Sequence, residues 1–311
     1  MSLFRNPSGP ARFRILTAYS TQAILDLPLQ LVSVDGLALP PVENVAVRSP
    51  MQHGSTHLFS LLNDRVFSVG LKLRRPWGYA LDDDYKGARQ QLMDVCNPGL
   101  GALQFEVLFS SGDIYTLREV FFESGFDLGL ETGGSPRHQN IAVRFIARDP
   151  AWYGKERSFT IDPVDENTSA LPLWDYALPT ENFGNWFAYP EITLYGPMVE
   201  PTVSLVWYST VLGTYVSESS IVTVDTLAAG GAWRIITDPR ERCVIDGGDR
   251  NVALSEATSL ANFALTYSPI RLLHHQQASV NWYNNFVRIQ ASGCTAGSYM
   301  VVTYNDRYVG I

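Results

Sequence analysis

Along most of the chain, hydrophobic and polar positions alternate with a period of two. In Arg65–Arg74 the apolar residues Phe67, Val69, Leu71 and Leu73 stand at every second position, so an extended strand would carry one apolar face. Alternating, β-branched or aromatic runs recur at Arg12–Tyr19, Leu29–Val34, Val42–Arg48, Ala102–Phe109, Ile114–Phe122 and Asn140–Arg148. They continue at Glu191–Tyr195, Thr202–Tyr208, Ile221–Val224, Trp233–Thr237, Val280–Gln290 and Tyr299–Tyr304. Turn residues separate these runs at roughly 8 to 15 residues, the spacing of sandwiches and barrels. The clearest hairpin joins Ala102–Phe109 to Ile114–Phe122 through Ser110, Ser111, Gly112 and Asp113.

One segment breaks the period. Asp82, Asp83 and Asp84 precede Tyr85, apolar Ala88, Leu92 and Val95 follow at helical spacing, and Asn97, Pro98 and Gly99 stop the run. Acidic residues at the start and a Gly/Pro stop predict a helix over Asp84–Cys96. Between Lys155 and Thr180 the chain turns rich in Pro, Asp, Ser and Thr without sustained periodicity. The expected organisation is therefore a first domain over residues 1–154, a linker over 155–181 and a β-sandwich domain over 182–311. No internal repeat of fixed period is present.

At 311 residues with 46% hydrophobic content, the chain is long enough for two cores, which excludes a disordered protein. The formal net charge of −8 divides unevenly, −1 over residues 1–154 and −7 over 155–311. Neither half carries the basic footprint of a nucleic-acid binder. No run approaches the ~18 to 20 apolar residues of a membrane helix, and the first residues lack the apolar core of a signal peptide. A soluble protein made in the cytoplasm, with no membrane partner, is expected.

Arrangements that carry chemistry are mostly missing. Cys96, Cys243 and Cys294 are isolated and odd in number, which fits buried small hydrophobes better than a disulfide framework or a zinc site. There is no GxSxG, Walker loop, HExxH or GxGxxG after a strand. His53 and His57 stand four apart, but Pro50 and Gly54 argue against the helix that would bring them onto one metal. His274 and His275 are adjacent and would point opposite ways on a strand. Asp82–Asp84 reads as a helix cap, and Asp246–Asp249 as a turn without the ligand spacing of a calcium loop. No catalytic residue, cofactor or metal is expected. Two carboxylates far apart in sequence remain compatible with a glycosidase. Trp174, Trp186, Trp207, Trp233 and Trp282 leave open an alternative reading as a carbohydrate-binding sandwich that recognises cell-surface glycan.

Several blocks, taken in order, resemble the distal tail proteins of long-tailed, non-contractile phages. In the first half these are Ser49–Leu73 (SPMQHGSTHLFSLLNDRVFSVGLKL), Leu92–Gly101 (LMDVCNPGLG), Gly112–Phe122 (GDIYTLREVFF) and Val143–Gly154 (VRFIARDPAWYG). In the second half they are Asn182–Pro197 (NFGNWFAYPEITLYGP), Cys243–Leu254 (CVIDGGDRNVAL) and Gly297–Ile311 (GSYMVVTYNDRYVGI). The chain departs from the pattern in about two dozen residues before the usual first strand and in a long linker. The resemblance implies a mainly β protein: an N-terminal ring-forming domain with one helix and a β-hairpin arm, then a galectin-like or carbohydrate-module-like sandwich. It implies a structural, non-enzymatic hub of the virion's tail tip, assembled in the host cytoplasm. Its partners would be five further copies in a hexameric ring, the tail tube protein, the tail-associated baseplate or fibre proteins and the tape-measure protein. DNA would pass through the ring without being bound, so the lumen is expected to be neutral or acidic, with Arg74, Arg75 and Arg144 paired or turned to subunit contacts. The hairpin Ala102–Phe122 carries more large apolar groups than one buried face can use, so Phe105, Val107, Tyr115, Leu117 and Phe121 are the expected intersubunit residues.

Overall fold

A computed structural model describes residues 11–17, 20–23, 29–48, 53, 55–74, 90, 92–94, 96–125, 138–161, 174–180, 183–209, 214–223, 226–238, 243–246, 263–265, 285–295 and 297–311. Mainly β structure follows from the alternation. Phe67, Val69 and Leu71 are buried where the residues between them are partly exposed, and Ile141, Val143, Phe145 and Ala147 repeat the pattern on a neighbouring strand. The chain divides into two compact units, unit 1 (Met1–Lys155 with Tyr308–Ile311) and unit 2 (Glu156–Arg307).

Unit 1 holds β1 (Ala11–Thr17), β2 (Ser20–Ala23), β3 (Leu29–Asp35), β4 (Val42–Val47), β5 (Thr56–Leu62), β6 (Arg65–Arg74), β7 (Leu103–Phe109), β8 (Ile114–Ser124) and β9 (His138–Ala147). It also holds the start of β10 (Trp152–Ile161). Seven strands pair antiparallel in the order β3-β6-β9-β8-β7-β1-β2, while among the described residues β4 and β5 pair only with each other. The core is aromatic. Phe67 meets Phe105 at 4.9 Å and Phe145 at 5.4 Å between ring centroids, and Phe105 also contacts Phe13 and Trp152.

The end of the expected helix is present. Leu92–Asp94 is helical, the Cys96 amide donates to the Leu92 carbonyl, and Leu92 and Cys96 are buried in the core of unit 1. A 3-10 turn at Pro98–Leu100 follows, with the Asn97 side chain accepting from the Gly99 amide at 2.9 Å. The acidic start expected at Asp82–Asp84 lies outside the described residues.

Unit 2 holds the rest of β10, then β11 (Trp174–Thr180), β12 (Glu191–Tyr195), β13 (Met198–Ser209), β14 (Thr214–Thr223), β15 (Thr226–Leu227) and β16 (Ala232–Ile236). It ends with β17 (Cys243–Asp246), β18 (Phe263–Leu265), β19 (Asn285–Ser292) and β20 (Tyr299–Tyr308), whose last residue belongs to unit 1. One sheet runs β17-β16-β12-β20-β10 and the other β11-β19-β13-β14-β18, with β15 on β13. Ile192, Leu194, Ile235, Met300 and Val302 from the first share a core with Val203, Val287, Ile289 and Ala291 from the second, which makes a sandwich.

Two expectations need correction. The stretch read as a linker holds strand at both ends. β10 continues to Ile161, and β11 pairs with β19 in unbroken register from Trp174↔Ala291 to Thr180↔Asn285. Lys155, Glu156, Ser158 and Thr160 are exposed in β10, so little apolar signal marked it as strand. The last four residues, Tyr308–Ile311, belong to unit 1 and not to the second domain.

Candidate assembly surfaces

The hairpin β7–β8 is core before it is surface. Phe105, Val107 and Leu117 are buried inside unit 1, and Tyr115 packs edge-on against Phe109 and Tyr308. Leu117, expected to face outward, has 0% exposure. The reason is a bulge. Leu103 pairs with Val120 and Phe105 with Leu117, so three steps along β8 match two along β7. Glu119 sits at the break with φ 51°, an uncommon backbone for a residue with a Cβ. Leu117 and Val120 therefore both face inward, and the alternation resumes with Phe121 turned out at 36% exposure. Of the five residues named from the sequence, Phe121 alone is exposed.

β4 and β5 form a separate two-stranded sheet, called the arm below. Its strands bond to each other from Val42↔Leu62 to Val47↔Thr56, with a break in register beside Val45 and Ala46. At its root the Asn63 amide donates to the Pro41 carbonyl at 2.9 Å. Burial is low at its described side chains, yet the arm carries exposed Val42, Val47, Leu58 (53%) and Leu61 (50%). An isolated two-stranded sheet is marginal in water, and its unpaired edges and apolar groups are template for another chain. The alternation in the sequence marks β4 but not β5, where Thr56, His57, Leu58, Ser60 and Leu61 are all exposed and apolar and polar positions do not strictly alternate.

A buried arginine fastens the base of that arm. Arg65, the first residue of β6, is fully buried. Its Nε donates to the Pro150 carbonyl at 2.8 Å, Nη2 to Val309 at 2.6 Å, and Nη1 to Leu37 at 2.8 Å, with Gly36 and Ala38 also in reach. The Trp152 indole N–H donates to the same Leu37 carbonyl at 3.2 Å, and the guanidinium lies 5.6 Å from that ring's centroid. Gly36 makes the turn, with φ 92° and a backbone so close to the Val66 carbonyl that a Cβ would sit 2.5 Å from it. Burial lowers the Arg65 pKa to about 10, against the attraction of buried Asp149. Asp149 itself accepts from the Tyr153 hydroxyl and the Ala151 amide.

In unit 2 the motif that begins at Asn182 is explained by backbone proximity. A Cβ on Gly184 would lie 2.0 Å from the Arg307 carbonyl, and the Trp186 amide donates to that oxygen at 3.0 Å. Buried Asp306 accepts from Arg157 Nε through both carboxylate oxygens and from the Phe183 amide. Arg157 lies 4.3 Å from the Phe183 ring centroid.

The remaining candidates are scattered. His57 reaches Ser60 on the exposed arm, and His53 is also exposed. Among the described residues no three His, Cys, Asp or Glu side chains group as a metal site. Trp233 is buried in the core of unit 2 and Trp186 packs on Phe187, while the side chains of Trp174, Trp207 and Trp282 lie outside the described set. His274, His275 and Arg75 also lie outside it. Arg144 pairs with Glu123 at 2.8 Å, both partly exposed.

No protein-family model matches the chain, and no curated protein matches it by sequence. Solved structures do match by fold. One is the SPP1 Dit (gp 19.1) protein, described as a paradigm of the hub adsorption apparatus in phages infecting Gram-positive bacteria. It aligns with a TM-score of 0.59 at 12% identity over 95% of this chain and 98% of its own. A chain of the phage p2 baseplate in its activated, strontium-bound conformation aligns over 95% and 98% at 9% identity with a TM-score of 0.44. From the first unit through the second, the chain has the fold of the SPP1 Dit protein.

Proposed function

We propose that the chain is a structural adaptor of a phage tail tip, a subunit of a six-fold ring that joins the tail tube to baseplate or fibre proteins. The observation that carries this reading is the extent of the likeness to SPP1 Dit, 95% of one chain and 98% of the other. A β-sandwich alone recurs across unrelated functions, so a match confined to unit 2 would carry little. The adaptor reading is non-enzymatic and places the protein in the virion. In it, unit 1 supplies the ring contacts through the β4–β5 arm and the outward side of β8, including Phe121. The core positions Phe105, Val107 and Leu117 hold the hairpin in shape. The lumen presents neutral or acidic side chains to the passing genome, consistent with an Arg144 already paired to Glu123.

The test is negative-stain microscopy with light scattering on the purified full-length protein, alone and mixed with a tail tube protein from the same source. Six-fold rings with an open centre are expected, and gold-labelled antibody should mark the tip of the intact tail. A chain that stays monomeric in both samples, or labelling away from the tip, overturns the reading. A glycan array on the same protein should be blank. Specific glycan capture without ring formation would favour a lectin instead.

A further inference from the structure

Arg65 gathers three parts of unit 1 that are far apart in sequence: the turn Gly36–Ala38, Pro150 just before β10, and Val309 just after β20. Arginine is suited to this because its planar head offers five N–H donors in fixed directions, and here they are spent on backbone carbonyls. The turn leads within three residues to Pro41, whose carbonyl closes the root of the β4–β5 arm. A second contact is independent of the arginine. Gly310 lies against the same turn so closely that a Cβ would stand 3.2 Å from the Ala38 carbonyl carbon and 3.4 Å from its oxygen. The segment Tyr308–Ile311 thus touches the turn directly, through Gly310, and indirectly, through Val309 and Arg65.

We propose that Arg65 and the returning segment Tyr308–Ile311 form a clasp that sets the pose of the β4–β5 arm, so that loosening the segment frees the arm at its root. The coupling has a direction that can be read. The clasp holds the turn at Gly36–Ala38, and the arm follows the turn in the chain with no strand among the described residues beyond its own partner paired to it. An arm of that kind takes its orientation from its root. The device is a conformational one, and it stands whether or not the protein assembles into a ring.

Hydrogen exchange measured by mass spectrometry on the full chain tests it. Gly310→Val pushes on the turn from the surface of unit 1 without emptying the core. It should speed exchange of the Asn63 amide and of the β4–β5 ladder at least tenfold, while β7, β9 and β12 exchange as in the parent. Arg65→Lys keeps a positive charge but cannot reach the separate carbonyls together, and should act in the same place. Unchanged exchange at Asn63 in Gly310→Val overturns the proposal. So does acceleration spread evenly through β6, β7 and β9 in both variants, which would make the contacts general stability and not coupling.

Discussion

Exchanging Leu117 and Phe121 separately tests the bulge in β8. In an unbroken strand the two would share a face, and the larger side chain would be the more costly to remove. With the bulge, Leu117 has 0% exposure among Phe105, Val107 and Phe145, whereas Phe121 is 36% exposed. Removing a fully buried leucine side chain to alanine costs about 2–5 kcal/mol, from lost transfer energy and the cavity left behind. Phe121→Ser forfeits a partial burial only, about 1–2 kcal/mol at the usual value for an aromatic side chain. In a folding unit of the size of unit 1 each kcal/mol moves the melting point by about 2–4 °C. Taking about 3 kcal/mol for Leu117→Ala, the expected drop is about 6–12 °C, with a clearly smaller one for Phe121→Ser. Differential scanning calorimetry on the full-length variants reads both, and circular dichroism checks that each has folded. If Phe121→Ser melts lower than Leu117→Ala, the bulge is misplaced and the hairpin's faces must be reassigned.

Three further outcomes are expected. Leu58→Asp with Leu61→Asp should leave the melting point within about 2 °C, since neither site is buried, yet abolish any ring seen by microscopy; intact rings would remove the arm from the interface. Burial pushes the Cys96 thiol from 9.0 up to about 12, so the folded chain keeps a proton that the unfolded chain releases above pH 9. That contribution is whole below pH 9 and is lost as pH climbs toward 12. The urea midpoint of the parent should therefore fall more steeply between pH 9 and 10.5 than that of Cys96→Ala, and parallel slopes would contradict it. Arg234 meets Glu191 with Nε and Nη2 at 2.6 and 2.7 Å, but both side chains are more than a third exposed. Arg234→Ala should then cost under about 1 kcal/mol, and the difference should shrink in ~1 M salt.

What was legible in the sequence was whatever burial imposes on one face. β6 and β12 occur with the expected bounds, Arg65–Arg74 and Glu191–Tyr195, because each lies between two strands and must alternate. The bulge at Glu119 was not legible, since an extra residue in one strand is defined only against its partner. β5 carried no alternation, and Leu58 and Leu61 are both exposed on it. At one end of the expected linker the strand residues Lys155, Glu156, Ser158 and Thr160 are exposed, and at the other β11 pairs with a strand more than a hundred residues on, as Trp174 shows with Ala291. Arg65 was hidden for another reason. Between Asp64 and Val66 it reads as an ordinary strand-end cation, and only the fold brings Pro150 and Val309 to it. Most of the large apolar groups on β7–β8 that suggested a subunit contact go into the core of unit 1.

Unit 2 lies in the sequence between Lys155 and Tyr308, both of which belong to unit 1. On the ribosome, the first 155 residues emerge early, yet the Val309 carbonyl that Arg65 binds is made after the whole of unit 2. Domains generally fold as they appear, from the amino end onward. Here Arg65 of the earlier unit lacks one of its carbonyl partners until the later unit has been synthesised. Unit 2 therefore has the opportunity to fold first, and its last strand then delivers the closing residues to unit 1. Exchange of unit 2 between related genes meets the same constraint: a transplant must be cut at two places, and a crossover at Lys155 alone would bring a foreign closing segment to Arg65.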